Sequence, residues 1–215
     1  MITVKEFCSL PYSNGVAYVL GLVYPLFKVQ ELTAGSRCQS YLIGSVNHNP
    51  GHITHEDLKN HHLSVSELLR PIDSGLIYDN SVYHITKKQG FSVILAIGDS
   101  TESASKVLIS EKVKGLQCQD LETKKYFVRG CFDGRSSFDK TTGMLAIDVD
   151  RDITKQNIIY EIALSIGIDL NLNQRGSGHP KNDQIRVKKS SLAKYNSKIG
   201  FYSTYRERQC KKGTL

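Results

Sequence analysis

The sequence lacks the features that define several broad classes of protein. Its 215 residues contain no run of the roughly 18 apolar side chains that a membrane-spanning helix needs, so we expect no membrane partner. The N-terminus has no succession of basic, apolar and cleavage-site segments, so we expect no signal peptide. The chain also has no glycine-rich phosphate loop, no G-x-S-x-G elbow and no cysteine–histidine catalytic pattern.

Paired cysteines are missing as well. The five cysteines are odd in number and contain no C-x-x-C pair, which argues against a disulfide framework and against a cysteine zinc site. We therefore expect the chain to work in a reducing compartment inside the cell, in the cytoplasm or an organelle matrix, with its cysteines acting as small apolar residues.

Histidines cluster in one short segment, 48–62. A zinc site would need three or four of them to converge on one ion. His55 and His62 are seven residues apart and can share a helix face, but nothing in the sequence fixes the others, so metal binding here stays open. The five histidines of the segment are His48, His52, His55, His61 and His62.

Positive charge is concentrated in the last quarter of the chain. The formal net charge is +7, yet residues 1–110 hold 8 Lys and Arg against 9 Asp and Glu. Residues 168–215 hold 11 against 3. A localised basic field is what a polyanionic partner favours, although a solvated basic surface gives the same pattern.

The second half predicts the order helix, two strands, helix, two strands, helix. A helix pattern over 122–133 stops at Gly134, and a hairpin over 136–150 follows. Apolar side chains on one hairpin face predict that Leu145, Ile147 and Val149 point to the core. A helix capped at Asp152 or Thr154 comes next. The remaining elements are strands in 168–173 and 184–189 and a helix over 191–200.

The first half fits the same order less cleanly. It predicts helices at about 14–24 and within 54–70, and strands near 27–33, 39–46, 76–79 and 82–88. Residues 83–98 match 185–200 without a gap, which predicts a strand, a basic step and a short helix in both places. Residues 17–27 match 126–136 and align Gly21 with Gly130. We infer a duplication: a first unit 1–98, a linker 99–119 with a helix around Ala104–Ser110, and a second unit 120–215.

Two such units, each opening with an apolar helix built around a glycine, resemble a two-motif homing endonuclease of the LAGLIDADG family. The resemblance covers nearly the whole chain and rests mainly on YFVRGCFDGRSS through KYNSKIGFYS in the second half. It implies an α+β fold in which two pseudo-symmetric αββαββα units form a saddle of antiparallel sheets within a monomer. Gly21 and Gly130 would be the helix-interface residues at which the two motif helices cross.

The same resemblance implies a metal site that this sequence does not complete. Family members project one acid from the foot of each motif helix, and the pair binds Mg²⁺ for phosphodiester hydrolysis. Those positions are Leu26 and Arg135 here. Asp133 falls two residues earlier, where the family acid is not the essential ligand, and it becomes a ligand only if the register shifts. We therefore expect no catalytic residues and no cofactor, with Mg²⁺ needed only if cleavage is retained.

The resemblance also points to a nucleic-acid surface, with double-stranded DNA favoured over RNA. The family lays its sheets over the major groove. Against this, Asp148, Asp150 and Asp152 would lie on the face opposite the predicted core side chains. Open alternatives are a maturase-like RNA-binding protein, a protein-interaction scaffold and a Mg-dependent endonuclease with substitute ligands. The basic candidates are Lys87, Lys88, Arg135, Arg175, Lys181, Arg186, Lys188 and Lys189.

Overall fold

The computed structural model describes residues 2–34, 37–48, 54–72, 77–79, 89–139, 141–176 and 178–212. The helices are α1 (Val4–Ser9), α2 (Asn14–Val23), α3 (His55–Leu69), α4 (Glu102–Gly115), α5 (Leu121–Arg135), α6 (Ile153–Ser165), α7 (Lys189–Lys198) and α8 (Thr204–Lys212). The strands are β1 (Val29–Ala34), β2 (Arg37–His48), β3 (Ile77–Asp79), β4 (Gln89–Ala96), β5 (Ser136–Asp139), β6 (Met144–Val149), β7 (Leu170–Asn173) and β8 (Asp183–Val187).

The strands form two antiparallel four-stranded sheets with the same internal order. The first runs β1-β2-β4-β3 and the second β5-β6-β8-β7. Helices α2 and α5 each enter the fold before their own sheet and lie against each other. The result is the predicted α+β saddle of two αββαββα units, with α1 and α8 added at the two ends. The last helix of the first unit is α4, which lies in the stretch that the sequence predicts as the linker.

Local sequence explains where the two central helices begin and end. The Ser13 hydroxyl accepts a hydrogen bond from the main-chain N–H of Val16 and caps α2, which ends just before Pro25. Asp120 caps α5 by accepting from the main-chain N–H of Thr123. α2 is buried on all sides from Gly15 to Val23, as a helix at the centre of two layers must be.

The registers of the two sheets superpose once the two glycines are aligned. Since Gly21 corresponds to Gly130, Val29 corresponds to Phe138. Val29 pairs with Leu42, and Phe138 pairs with Leu145. Leu42 and Leu145 are therefore equivalent, and both are buried. The predicted orientation of Leu145 toward the core is confirmed.

One prediction in the first unit is wrong. The segment after Gln89 was expected to be a short helix equivalent to α7, but it forms β4, one of the two inner strands of the first sheet. A short apolar run rich in β-branched residues fits a buried strand as well as a helix, so periodicity does not distinguish them. Gly98 and Gly200 both have a positive φ, of 64° and 62°, but Gly98 follows a strand and Gly200 follows a helix.

The correct equivalence removes the match between the two lysine pairs. Since Leu42 and Leu145 are equivalent, their partners on β4 and β8 are equivalent too, and this register places Ala96 at the position of Lys188. Lys87 and Lys88, and the strand expected near 82–88, lie outside the described residues. Gly134 also does not end α5, which continues to Arg135. A Cβ on Gly134 would lie 3.1 Å from a methyl carbon of Leu22, so close packing accounts for this glycine.

The C-terminal helix α8 joins the second unit to the first. The Arg208 guanidinium donates two hydrogen bonds to the Asp57 carboxylate, at 2.8 and 2.6 Å, and the Thr204 hydroxyl donates a third at 2.7 Å. Asp57 also forms a capping box with Thr54 at the start of α3. Arg208 and then Thr204 and Thr54 hold the pKa of Asp57 well below its usual range.

We expect Asp57→Ala to lower the free energy of unfolding by about 2 kcal/mol, since it removes a helix cap and three contacts with α8. Arg208→Ala should lower the free energy of unfolding by less than half that amount, because the arginine is exposed and Thr204 still contacts Asp57. Urea unfolding of both variants measures the difference. Equal losses would mean that the cap contributes nothing beyond the ion pair.

Candidate nucleic-acid interface

The two motif helices, α2 and α5, cross at a pair of glycines. A Cβ on Gly21 would lie 2.1 Å from the carbonyl oxygen of Phe127, and a Cβ on Gly130 would lie 2.3 Å from the carbonyl oxygen of Tyr18. Both distances are far inside van der Waals contact. The backbones therefore approach as closely as they do only because neither residue has a side chain.

A leucine and an arginine lie at the C-terminal ends of these two helices, which we call the helix feet. Leu26 lies half-buried in the bend that follows α2, and Arg135 is the last residue of α5. Neither residue has a side-chain oxygen that could bind a metal ion. A guanidinium and an alkyl side chain do not fit a divalent cation, which prefers carboxylate and carbonyl oxygens.

Asp133 does not replace the missing ligands, because it faces the interior. Its carboxylate is fully buried and accepts hydrogen bonds from the Tyr18 hydroxyl at 3.0 Å and the Tyr202 main-chain N–H at 3.2 Å. Burial raises the pKa of Asp133 to about 6, against the opposing effect of the Arg206 charge. This acid connects the first unit, through Tyr18, with the segment between α7 and α8, through Tyr202.

A second acid, Asp150, lies at the foot of α2 and is already neutralised. Its carboxylate accepts from the Phe27 main-chain N–H at 3.4 Å, and its own N–H donates to the Pro25 carbonyl at 2.8 Å. The Lys155 ammonium donates to this carboxylate and lies 3.5 Å from the centre of the Phe27 ring. Burial lowers the pKa of Lys155, and the bond to Asp150 opposes that effect.

The described residues hold no group of three or more His, Cys, Asp or Glu side chains suited to bind a metal ion. His55 and His62 both lie on α3, as their spacing predicts, and His61 of the same helix is buried. His52 lies outside the described residues. A resident Mg²⁺ therefore has no matching ligand set among the side chains that the structure describes.

The exposed surface of the second sheet is polar. Because Leu145, Ile147 and Val149 are buried, the alternate positions of β6 face away from the core. Strand pairing places Ala146 beside Arg186 and Asp148 beside Gln184 on that side. We call this surface the second outer face. Its members are Ser137, Ala146, Asp148, Asn171, Asn173, Gln184 and Arg186.

Three side chains of the second outer face form a hydrogen-bonded ladder. The Arg186 guanidinium donates to the Gln184 side-chain oxygen at 3.1 Å, and the Gln184 amide donates to Asp148 at 3.2 Å. Asn171 and Asn173 flank the ladder on β7. Arginine, glutamine and asparagine are the side chains that recognise guanine and adenine edges in the major groove.

The expectation that three acids crowd this face is wrong. Asp152 caps α6 by accepting from the main-chain N–H groups of Thr154 and Lys155. Asp150 follows the strand and is paired with Lys155. Only Asp148 of the three lies within β6, where it accepts from Gln184.

The basic candidates of the second unit differ in exposure and in position. Lys181 and Lys189 are exposed, and Lys188 and Lys189 line a groove of about 300 Å³ together with Arg186 and the two asparagines of β7. Arg175 is half-buried beside the buried Asp183 carboxylate, so it is less available to a ligand. Arg135 lies apart from this group, at the foot of α5.

Sequence reasoning missed the asparagines and Gln184. Their signal was present as polar residues at alternate positions of LNLN and DQIRV, opposite the buried Leu170 and Ile185. Charge counting overlooks such side chains, because amides carry no charge.

This architecture defines the class of fold: the chain has a LAGLIDADG-like fold. Solved structures that resemble it include two complexes of I-DmoI and full-length DUF199/WhiA. I-DmoI in complex with DNA and Mn superposes with a TM-score of 0.55 at 13% identity, over 88% of this chain and 98% of that one. I-DmoI in complex with DNA and Ca gives 0.56 at 12% identity, over 94% and 99%. Full-length DUF199/WhiA from Thermatoga maritima gives 0.50 at 14% identity, over 98% of this chain and 63% of that one.

Sequence comparison adds nothing to this structural likeness. No protein-family model matches the chain, and no curated protein matches it in sequence. None of the helices in the described residues is long and apolar enough to cross a membrane.

Proposed function

We propose that this chain binds nucleic acid, with double-stranded DNA as its partner, and that it does so as a monomer without metal-dependent cleavage. The observation that carries the proposal is the ladder of Arg186, Gln184 and Asp148 on the second outer face. These side chains lie on the paired strands β6 and β8, and the major groove is wide enough to admit a two-stranded β-ribbon.

Charge and shape support the same surface. Lys188 and Lys189 stand at one end of the ladder, where they can contact phosphates while the amides face base edges. I-DmoI, which has this fold, has been solved in complex with DNA. Two units in one chain already form the glycine crossing that a homodimer would otherwise provide, which supports a monomer.

The loss of cleavage is supported by the helix feet. Leu26 and Arg135 occupy the positions from which an acid pair would bind Mg²⁺, while Asp133 is fully buried. Supercoiled plasmid incubated with the protein and Mg²⁺ or Mn²⁺ should stay intact under conditions where the protein binds DNA. Metal-dependent nicking that disappears in Asp133→Ala would overturn this part of the proposal.

Salt titration of binding tests the partner. We expect affinity for duplex DNA to fall steeply as salt rises, because binding releases counterions from the phosphates. Lys189→Ala should weaken binding several-fold and reduce the salt slope by about 1. Lys198→Ala is the matched control, since this exposed lysine lies at the opposite end of the same helix α7.

Other outcomes choose between the alternatives. Tighter, salt-dependent binding to a folded intron RNA than to duplex DNA would replace the DNA proposal with a maturase-like role. Flat and weak binding to both polymers would contradict nucleic-acid binding altogether, and a protein partner would then be the explanation of the fold.

A further inference from the structure

The surface of the first sheet that faces away from the core differs from the second outer face at equivalent positions, although the strands pair in the same way in both sheets. Leu42 is equivalent to Leu145, so Ser45 is equivalent to Asp148 three residues later. Ser45 pairs with Ser92, and Asp148 pairs with Gln184. The next row outward pairs Ile43 with Ile94 in the first sheet and Ala146 with Arg186 in the second.

In the first sheet these two rows have little capacity to recognise bases. Ile43 and Ile94 are 5% and 8% exposed, and Ser45 and Ser92 are 8% and 9% exposed. The two serine hydroxyls hydrogen-bond each other at 2.8 Å. Their polar groups are thus satisfied within the protein, and little surface remains for a ligand to touch.

In the second sheet the same two rows carry the Arg186, Gln184 and Asp148 ladder. Asp148 is exposed, and Gln184 and Arg186 are half-exposed. The ladder orients the arginine and the amide before any ligand arrives, which lowers the entropy lost when they contact base edges. Exposure therefore separates the two units: donors and acceptors reach the surface in the second sheet, whereas the first sheet offers an almost buried pair at the equivalent positions.

We propose that base recognition near the centre of the DNA site is one-sided. The second unit specifies the base pairs of its half-site that lie nearest the centre of the whole site, and the first unit leaves the equivalent base pairs of the other half-site unspecified. Among the described residues of the first unit, the exposed polar side chains suited to contact DNA lie farther out, where Gln30 and Gln39 share a face with Tyr41. This inference rests on the proposed DNA binding, and it adds which half of the duplex carries the sequence information.

Selection from a library of randomised duplexes, followed by sequencing of the bound fraction, tests the inference. We expect the selected central positions to be informative on one side of the centre only. Arg186→Ala should relax the preference within that block, reducing discrimination by about 5- to 150-fold at the position that Arg186 contacts. Ser45→Ala is the matched control in the first unit, and it should leave the selected sequence unchanged.

A transfer variant tests the converse. Placing the ladder in the first unit through Ser45→Asp, Ser92→Gln and Ile94→Arg should create a second block of preferred bases across the centre. Ile94 is nearly buried, so thermal unfolding must first show that this variant folds. If it does not, selection with Arg186→Ala still decides the matter.

Each outcome separates the two levels of the proposal. Equal information on both sides of the centre in the wild-type selection would overturn one-sided recognition and leave DNA binding intact. Bound duplexes without any sequence preference would likewise overturn it. Failure to retain any duplex, even at low salt, would overturn DNA binding itself.

Discussion

Gly21→Ala is expected to lower the free energy of unfolding by about 3 kcal/mol, because the new methyl group would be forced into the main chain of α5. The nearest atoms to that position are the Phe127 carbonyl oxygen at 2.1 Å and the Cys131 nitrogen at 2.8 Å. Both are backbone atoms of a buried helix, so they cannot move aside as the end of a side chain would. Relief requires the two helix axes to separate.

Helix propensity works in the opposite direction and is too small to compensate. Replacing a glycine by alanine inside a helix favours folding by about 1 kcal/mol. Gly176→Ala is the control, since nothing lies within 4 Å of a Cβ at that loop position. It should change stability by less than about 0.5 kcal/mol. A Gly21→Ala protein as stable as the control would mean that α2 and α5 are not held this close.

Gly130→Ala extends the test to the other side of the same crossing. It should destabilise by a similar amount, since its Cβ would meet the Tyr18 carbonyl oxygen at 2.3 Å. The double variant should cost less than the sum of the two, because one separation of the helices relieves both clashes. Additive losses would indicate two independent contacts instead of one crossing.

The central crossing could be predicted from sequence because it depends on two glycines in matched surroundings. Gly21 and Gly130 each sit in an apolar helix, and small residues are the requirement for close helix packing. The second unit was predictable for a related reason. Its strands alternate regularly, so the buried side of β6 followed from Leu145, Ile147 and Val149.

The candidate interface was less predictable, because it depends on strand register. Gln184 lies beside Asp148 only through the pairing of β6 with β8, which are separated by a helix and another strand. The equivalence of Ser92 with Gln184 also depends on strand pairing. Without the pairing, the similarity that ends at Gly98 and Gly200 aligned residues 83–98 with 185–200 instead. The contact of α8 with Asp57 likewise joins residues about 150 positions apart, which no local pattern encodes.

Asp133→Asn is expected to make the protein more stable at pH 8 than the wild type, by as much as about 3 kcal/mol, while the two differ little near pH 4. The buried carboxyl has a pKa raised to about 6, above its value in the unfolded chain. Its contribution to stability is therefore fully present below about pH 4 and is lost as pH rises through 6. Asparagine has no proton to lose, so its stability does not follow this decline.

At low pH the wild type and Asp133→Asn differ little at this position, because a protonated aspartate resembles an asparagine. A protonated aspartate and an asparagine can both accept from Tyr18 and Tyr202 through one oxygen and place a donor at the other position. Urea unfolding at pH 4 and pH 8 measures the effect. Asp148→Asn makes the same change of atoms on an exposed side chain and should alter stability by less than about 0.5 kcal/mol at either pH.

The sign of the result identifies which force acts on Asp133. If Asp133→Asn is the less stable protein at pH 8, attraction from Arg206 and Arg129 outweighs the burial of the carboxylate, and its pKa lies below its usual range. If it is the more stable protein, burial dominates. The ionised Asp133 carboxylate would then lower the stability of the protein at the interface between the two units. Asp133 is also the residue at which the motif of the second unit still carries a carboxylate.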